Sequence, residues 1–159
     1  MADSIQEQIV KKIVVACASI TVANGYANTI ASVQRHNQSG IDLATLPTIL
    51  VKEGECSYDL MKSASPRIRR RMELFLVVAT QQDETPDSTD TRSGGEMLNS
   101  LVADIEQRLG ASQNWDGLAL MTDPPSYLEI DIDAVTPHMG RGLRVEVSYE
   151  HVRNNPYSQ

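Results

Sequence analysis

Aromatic residues are scarce in this sequence, and basic residues are outnumbered by acidic ones. One Trp, one Phe and five Tyr occur among 159 residues, which leaves little material for the aromatic platforms on which nucleic-acid bases stack. The formal net charge is −7, whereas binding to a phosphate backbone relies on an excess of Lys and Arg. Both features argue against a protein that holds nucleic acid.

Cysteines are few, and long apolar runs are missing. The two cysteines form no Cys-x-x-Cys pair, and two thiols alone do not complete a four-ligand zinc site. No apolar run approaches the roughly 20 residues that span a bilayer. The start, Met1-Ala2-Asp3-Ser4, has no basic stretch of the kind that opens a secretory signal. We therefore expect a protein that is made in the cytoplasm and has no membrane partner.

Recognisable catalytic motifs are absent. The sequence has no glycine-rich phosphate loop and no Gly-x-Ser-x-Gly elbow. Its histidines, His36, His138 and His151, lie far apart and lack metalloprotease spacing, so we expect them at the surface or at a partner contact. These observations predict no catalytic residue, no cofactor and no bound metal, and therefore not an enzyme.

Two segments have the apolar periodicity of amphipathic helices. The first begins at Ser4, where Ser4 and Glu7 have the spacing of a capping box. Cys17 lies in the apolar stripe of this helix and is expected to be a small core residue. The second helix covers residues 96–109, and Gly110 follows it in the position of a left-handed C-cap.

Alternating polar and apolar residues predict several strands. The clearest is residues 67–80, which alternates over its whole length. The other candidates are residues 26–34, 48–51 (closed by Glu53-Gly54-Glu55), 118–122, 127–132 and 143–152. The order helix, strands, helix, strands predicts a single α+β domain of residues 1–159, with a mainly antiparallel or mixed sheet and two main helices packed on one face. Residues 81–95 are expected to form a long polar loop.

Two charged clusters are the candidate functional residues. They are a basic cluster of Arg67, Arg69, Arg70 and Arg71, and an acidic row of Glu129, Asp131 and Asp133. The arginines are interpreted as a subunit interface or as a phosphate site, and the acidic balance of the chain favours the interface. The acidic row is interpreted as a solvated strand face or as a divalent-cation site, and no Asn or Gly ligand loop accompanies it.

The order of these features is shared with a known family. The residues that carry the likeness are the first helix, Asn24-Gly25-Tyr26, Val33, Arg35, Leu46-Pro47-Thr48-Ile49, Gly54-Glu55, the strand 67–80, Leu98-x-x-Leu101-x-x-Asp104-Ile105, Val145-x-Val147-x-Tyr149 and Asn155-Pro156. Together they resemble the tail-terminator (tail-completion) proteins of long-tailed bacteriophages. The resemblance covers nearly the whole chain.

The resemblance implies a structural protein of the virion tail or neck. Subunits of such proteins form a ring, expected here to be a homohexamer, that caps the tail tube and stops its polymerisation. The ring joins the tail to the head-side connector or neck protein and leaves a channel through which DNA passes. A ring that does not hold DNA is consistent with a subunit charge of −7.

A head-to-tail ring needs two different complementary patches on each subunit. Arg67, Arg69 and Arg71 are one candidate patch, and the acidic row of Glu129, Asp131 and Asp133 is the other. Three alternatives stay open: a head-completion or neck adaptor protein of the same particle, a small divalent-metal-dependent hydrolase that uses the acidic row, and a host-type binding module. Ring stoichiometry and divalent-metal affinity distinguish these functions.

Overall fold

A mixed sheet with two helices on one of its faces forms the protein. The computed structural model describes residues 3–35, 41–58, 66–81, 92–128 and 138–159. In chain order the elements are α1 (Ile5–Ala18), a 3-10 turn (Val22–Asn24), β1 (Ser32–Arg35), β2 (Thr48–Tyr58), β3 (Arg67–Gln81), α2 (Gly94–Gly110), β4 (Met121–Thr122), β5 (Ser126–Leu128) and β6 (His138–Val152).

The strands run in the order β1-β2-β3-β6-β4, and β5 pairs with β6 on the same edge as β4. β1 and β2 are parallel, and every other pair among the described strands is antiparallel. The predicted α+β class with a mainly antiparallel, mixed sheet is confirmed. Neither described helix combines the length and apolar character that crossing a membrane requires.

β3 and β6 form the centre of the sheet, because they pair along their full lengths from Arg67–Val152 to Gln81–His138. Strand alternation sends every second side chain to the helix side. The buried sheet residues on that side are Ile49, Val51, Met72, Leu74, Leu76, Val78, Leu143, Val145, Val147 and Tyr149. They form one core with the apolar stripes of the helices, in which Cys17 is fully buried as predicted. Burying each aliphatic side chain contributes about 1.5–3 kcal/mol.

The two helices begin with different caps. Ser4 accepts a hydrogen bond from the backbone of Glu7 as predicted, but the Glu7 carboxylate binds Arg35 instead of completing a capping box. The complete capping box is at α2, between Ser93 and Glu96. That helix begins at Gly94, so the boundaries predicted for the loop at residues 81–95 were wrong at both described ends. Gln81 is the last residue of β3, and residues 82–91 lie outside the described part of the chain.

The strand predicted at residues 26–34 was largely wrong. In its first half, backbone N–H groups donate hydrogen bonds to a buried carboxylate on α2. Asp104 is 5% exposed and accepts hydrogen bonds from the backbone N–H groups of Ala27 and Asn28, at 3.1 and 2.9 Å. The Asn28 side chain donates to the same carboxylate at 2.7 Å. These donors are therefore lost to a strand ladder, and only Ser32–Arg35 forms β1.

Two glycines were also misinterpreted. Gly54 was expected to close the second strand, but β2 runs on to Tyr58 with an irregular register between Glu53 and Cys56. A Cβ atom at Gly54 would lie 2.5 Å from the ring of Phe75, so glycine permits a close approach there. Gly110 is not a left-handed cap. It is the last helical residue, and a right-handed Ala111 caps α2.

A half-buried ion-pair network joins the N-terminal turn of α1 to the β1 edge of the sheet. The guanidinium of Arg35 on β1 donates to both carboxylate oxygens of Glu7, at 2.6 and 2.7 Å, and to Glu53 of β2 at 2.6 Å. The fork geometry makes this a strong charge-assisted contact. It lowers the pKa of Glu7 and raises that of Arg35, in each case mainly through their mutual hydrogen bonds.

Replacing Asp104 with Ala should lower the free energy of unfolding by about 2–4 kcal/mol, because it leaves buried N–H donors without an acceptor. Urea unfolding of both proteins measures the difference. Glu55→Ala is the control, since Glu55 is an exposed carboxylate on β2. An Asp104→Ala protein as stable as the control would contradict the anchoring role of this carboxylate.

Replacing Glu7 with Gln should reduce the loss of unfolding free energy that occurs at acid pH. The pKa of Glu7 in the folded protein lies below its ordinary value of 4.5, so its ion pair stabilises the fold above that pH. This stability is lost as the pH falls through the lowered pKa. Urea unfolding at neutral pH and at decreasing pH below 4.5 should show a smaller loss for Glu7→Gln than for the wild type. Glu55→Gln, at an exposed carboxylate, should behave as the wild type does.

Candidate subunit interface

The face of the sheet that points away from the helices carries charged side chains of both signs along β3 and β6. We call the following set the outer charge ladder: Arg69, Arg71 and Glu73 on β3, with Arg144, Glu146 and Glu150 on β6. Arg69 lies directly across from Glu150 and binds it at 3.0 Å. Arg71 reaches diagonally to Glu146 at 3.2 Å. Arg69 and Arg71 therefore share one face of the strand, and their partners on β6 belong to the same chain.

The ladder compensates for a like-charge pair in the centre. Glu73 lies directly across from Glu146, an arrangement that is destabilising when two carboxylates face each other alone. Arg144 binds both of these carboxylates, and it contacts Glu146 at 2.9 Å. With Arg71 on the other side, every carboxylate of the ladder has a cation beside it. Opposite-charge pairs between neighbouring strands add a small stabilisation to this register.

One end of the ladder opens into a cleft of about 490 Å³, which we call the arginine cleft. Its lining residues are Ser57, Arg69, Arg70, Arg71, Leu120, Met121 and Ser148. Leu120 and Met121 come from the β4 edge, and each is 50% exposed. Arginine and methionine are enriched at protein–protein interfaces relative to the rest of the surface. The cleft thus combines exposed apolar side chains with cations on one surface.

The residue at the centre of the basic cluster has a different orientation from its neighbours. Arg70 has the strand parity of the core face, and its Nε donates to Nε2 of His151 at 2.9 Å. Its guanidinium also lies over the ring of Tyr58, 5.9 Å from the centroid. His151 is 4% exposed, so the predicted surface position of this histidine was wrong. It accepts a hydrogen bond from Arg70 within the fold.

The candidate site residues are only partly brought together. Arg67 is exposed at the start of β3, across from Val152, and leads into the ladder. The acidic row lies outside the described residues, and so does His36; for His138 only the backbone is described. The pairing of the arginines with the acidic row of a neighbouring subunit therefore stays a prediction. Within the described ranges, no three His, Cys, Asp or Glu side chains converge as metal ligands.

Sequence reasoning missed two parts of this surface. The alternation of Arg144 and Glu146 was visible in the sequence, but the register that places them beside β3 was not. Leu120 and Met121 were assigned to a strand without any expectation that they would be exposed. Their position directly before Asp123-Pro124-Pro125 was the available signal, because a strand interrupted by Pro lies at a sheet edge.

Comparisons with family models and with curated proteins suggest no function for this chain. No protein-family model matches this sequence, and no curated protein matches it significantly.

Reversing one charge of the ladder should destabilise the fold, and exchanging the pair should restore it. Arg69→Glu places a carboxylate across from Glu150 and should cost about 0.5–1 kcal/mol in the free energy of unfolding. The exchange Arg69→Glu with Glu150→Arg should recover most of this loss. Urea unfolding in low and high salt measures both, and salt should reduce the difference. Equal stability of the two variants would show that the pair contributes nothing.

Proposed function

We propose that this protein is a structural subunit of a virus particle. In this proposal it assembles into a ring that ends a phage tail tube, stops tube growth and joins the tail to the head-side connector. The resemblance of the sequence to tail terminators is the origin of the proposal. The α+β architecture agrees with it, because a helix-covered sheet leaves one sheet face and two sheet edges for contacts with other subunits.

The observation that supports assembly most strongly is the arginine cleft. Arg69, Arg70 and Arg71 line it beside the half-exposed Leu120 and Met121, on a chain of net charge −7. A second copy of this chain is the occupant that this surface favours, because its 21 acidic residues outnumber its 14 basic ones. The acidic row of Glu129, Asp131 and Asp133 stays the proposed complementary patch.

Head-to-tail assembly follows from this asymmetry. Among the described residues Arg70 of the cleft pairs with His151 and Tyr58 and with no carboxylate, so a contact of the cleft with its own copy brings two such arginines together and a two-fold contact is disfavoured. A cleft that meets a different, acidic patch on the next subunit generates a ring if the rotation closes. In this proposal, DNA passes through the centre and is not retained, since a ring of acidic subunits repels phosphate.

The intrachain partners of the arginines determine how assembly should be tested. Reversal of Arg69 and Arg71 alone would weaken the fold together with any contact, because both are paired to β6. Leu120→Ser with Met121→Ser avoids this problem, since half of each side chain is already exposed. Val22→Ser is the matched control, because Val22 is 62% exposed and lies outside the cleft.

Native mass measured over a range of protein concentrations should reveal a closed ring, six subunits being expected. The Leu120 and Met121 double variant should shift the equilibrium toward monomer by about tenfold or more, since each exposed apolar side chain contributes on the order of 1 kcal/mol when buried. The Val22→Ser control should assemble as the wild type does. A wild-type chain that neither forms a ring nor is captured by tail tubes of the same particle would refute the proposed function.

A further inference from the structure

A second charged groove lies on the opposite side of the molecule, among the helices. It has a volume of about 380 Å³ and lies between α1, the last turn of α2 and the turn that follows it. We call it the helix groove; its charged residues are Lys11, Lys12, Arg108 and Asp116, with Val15 and Trp115 beside them. Three cations and one carboxylate thus line a single groove on a chain that is acidic overall.

Arg108 is the unusual member of this set, because its charge is not balanced locally. Its guanidinium donates to the hydroxyls of Ser19 and Ser112 at 3.0 and 2.8 Å, and both are neutral acceptors. Among the residues that the structure describes, no carboxylate pairs with it. The nearby Cys17 supplies no counter-charge, since burial raises the pKa of its thiol to about 12 and keeps it protonated. The two hydroxyls hold the arginine in place and leave its positive charge uncompensated.

The two lysines of the groove have partners that are easily exchanged. Lys11 binds Asp3 at 2.7 Å and lies 3.7 Å from Glu7, and Lys12 binds Asp116 at 2.6 Å. The side chains of the two shorter pairs are all at least 40% exposed. Exposed pairs of this kind contribute little to stability, so an incoming carboxylate can replace either partner at small cost. The lysines therefore add to the positive field around Arg108.

An exposed apolar side chain is part of the same surface. Val15 is 67% exposed, the highest fraction among the exposed large apolar residues of the described chain. It lies on α1 within the groove, one helical turn from Lys11 and Lys12. A free inorganic anion makes no use of such a side chain. An acidic peptide that also carries an apolar residue contacts both features.

We propose that the helix groove binds an acidic peptide segment of a partner protein, with Arg108 as the main carboxylate ligand, Lys12 as the second and Val15 as the apolar contact. The arginine fork binds a carboxylate through two parallel hydrogen bonds. Charge complementarity attracts the segment, and the attraction falls as salt is added. This inference is independent of the proposed ring and holds equally for a monomeric chain.

Trp115, which is 3% exposed, provides a fluorescence readout from the wall of the groove. It is the only tryptophan of the chain, it lines the helix groove, and its ring nitrogen is held by Thr122 at 2.8 Å. Titration with a short end-blocked peptide of sequence Glu-Glu-Leu-Glu-Glu should change the fluorescence of Trp115 with a saturable, salt-dependent curve. Arg108→Gln should weaken peptide binding by about tenfold or more, because it removes a charge-assisted hydrogen bond.

Two further variants keep the test independent of the role of Arg108 in folding. Val15→Asp adds a repelling charge at a solvent-exposed position and should also weaken peptide binding by about tenfold or more. Arg141→Gln is the matched control: this arginine binds the neutral Asn99 and the ring of Tyr127, outside the groove, so peptide affinity should stay unchanged. Thermal melting of each variant confirms that it is folded.

The competing outcomes are distinct. Unchanged peptide affinity in folded Arg108→Gln and in Val15→Asp would overturn the proposal. So would an equal response of Trp115 to a Lys-Lys-Leu-Lys-Lys peptide. If inorganic phosphate gives the same response and displaces the peptide at similar concentration, the groove takes a generic anion, and the peptide proposal is wrong. None of these results depends on whether the chain forms a ring.

Discussion

The antiparallel pairing of β3 with β6 is the constraint on which the rest of the structure depends. It aligns fifteen residues of one strand with fifteen of the other. Because side chains alternate across a strand, this one register directs Leu74 and Val145 into the core and Glu73 and Arg144 to the outer face. A slip by one residue would place charges under the helices, at a cost far above the contribution of any surface ion pair. The core and the outer charge ladder are therefore two results of one register.

Polar contacts hold the remaining elements on this central pair. Asp104 attaches the segment before β1 to α2, and Arg35 attaches β1 and β2 to the start of α1. Both residues also belong to the sequence pattern on which the proposed likeness to tail terminators rests, and the structure gives each a role of its own: one satisfies buried backbone donors, and the other joins two carboxylates. Both of these roles are structural.

The two faces of the molecule present different chemistry to a partner. On the sheet side, Arg69 and Arg71 lie in the arginine cleft beside Leu120 and Met121, and both already have carboxylate partners within the chain. On the helix side, Arg108 has only hydroxyl partners among the described residues. A cation whose charge is compensated contributes mainly register and specificity to an interface, whereas an uncompensated one contributes affinity for an anion. The two surfaces are thus suited to separate contacts.

The spacing of apolar residues correctly predicted the features that depend on local sequence alone. The two helices, the long strand of residues 67–80, the buried position of Cys17 and the α+β class were predicted from it, because the spacing of apolar residues is a property of each segment alone. Boundaries were less predictable. The segment before β1 has an apolar pattern suited to a strand, yet Asp104, which is 76 residues from Asn28 in the chain, takes its backbone donors. Gly54 was predicted to end a strand. The reason for a glycine there is the close ring of Phe75, which belongs to another strand and cannot be read from the local sequence.

By itself, the sequence therefore determined which side chains face inward and which carry charge on each element. Only the tertiary structure decided which charges meet. Arg69 and Glu150 are 81 residues apart, and their contact exists only in the register of β3 with β6. The same holds for the groove around Arg108, which combines α1 with the end of α2. Many strands carry charged residues on one face. The free energy that fixes the register, and with it the partners of these charges, comes from burial of the opposite apolar face against other segments of the chain.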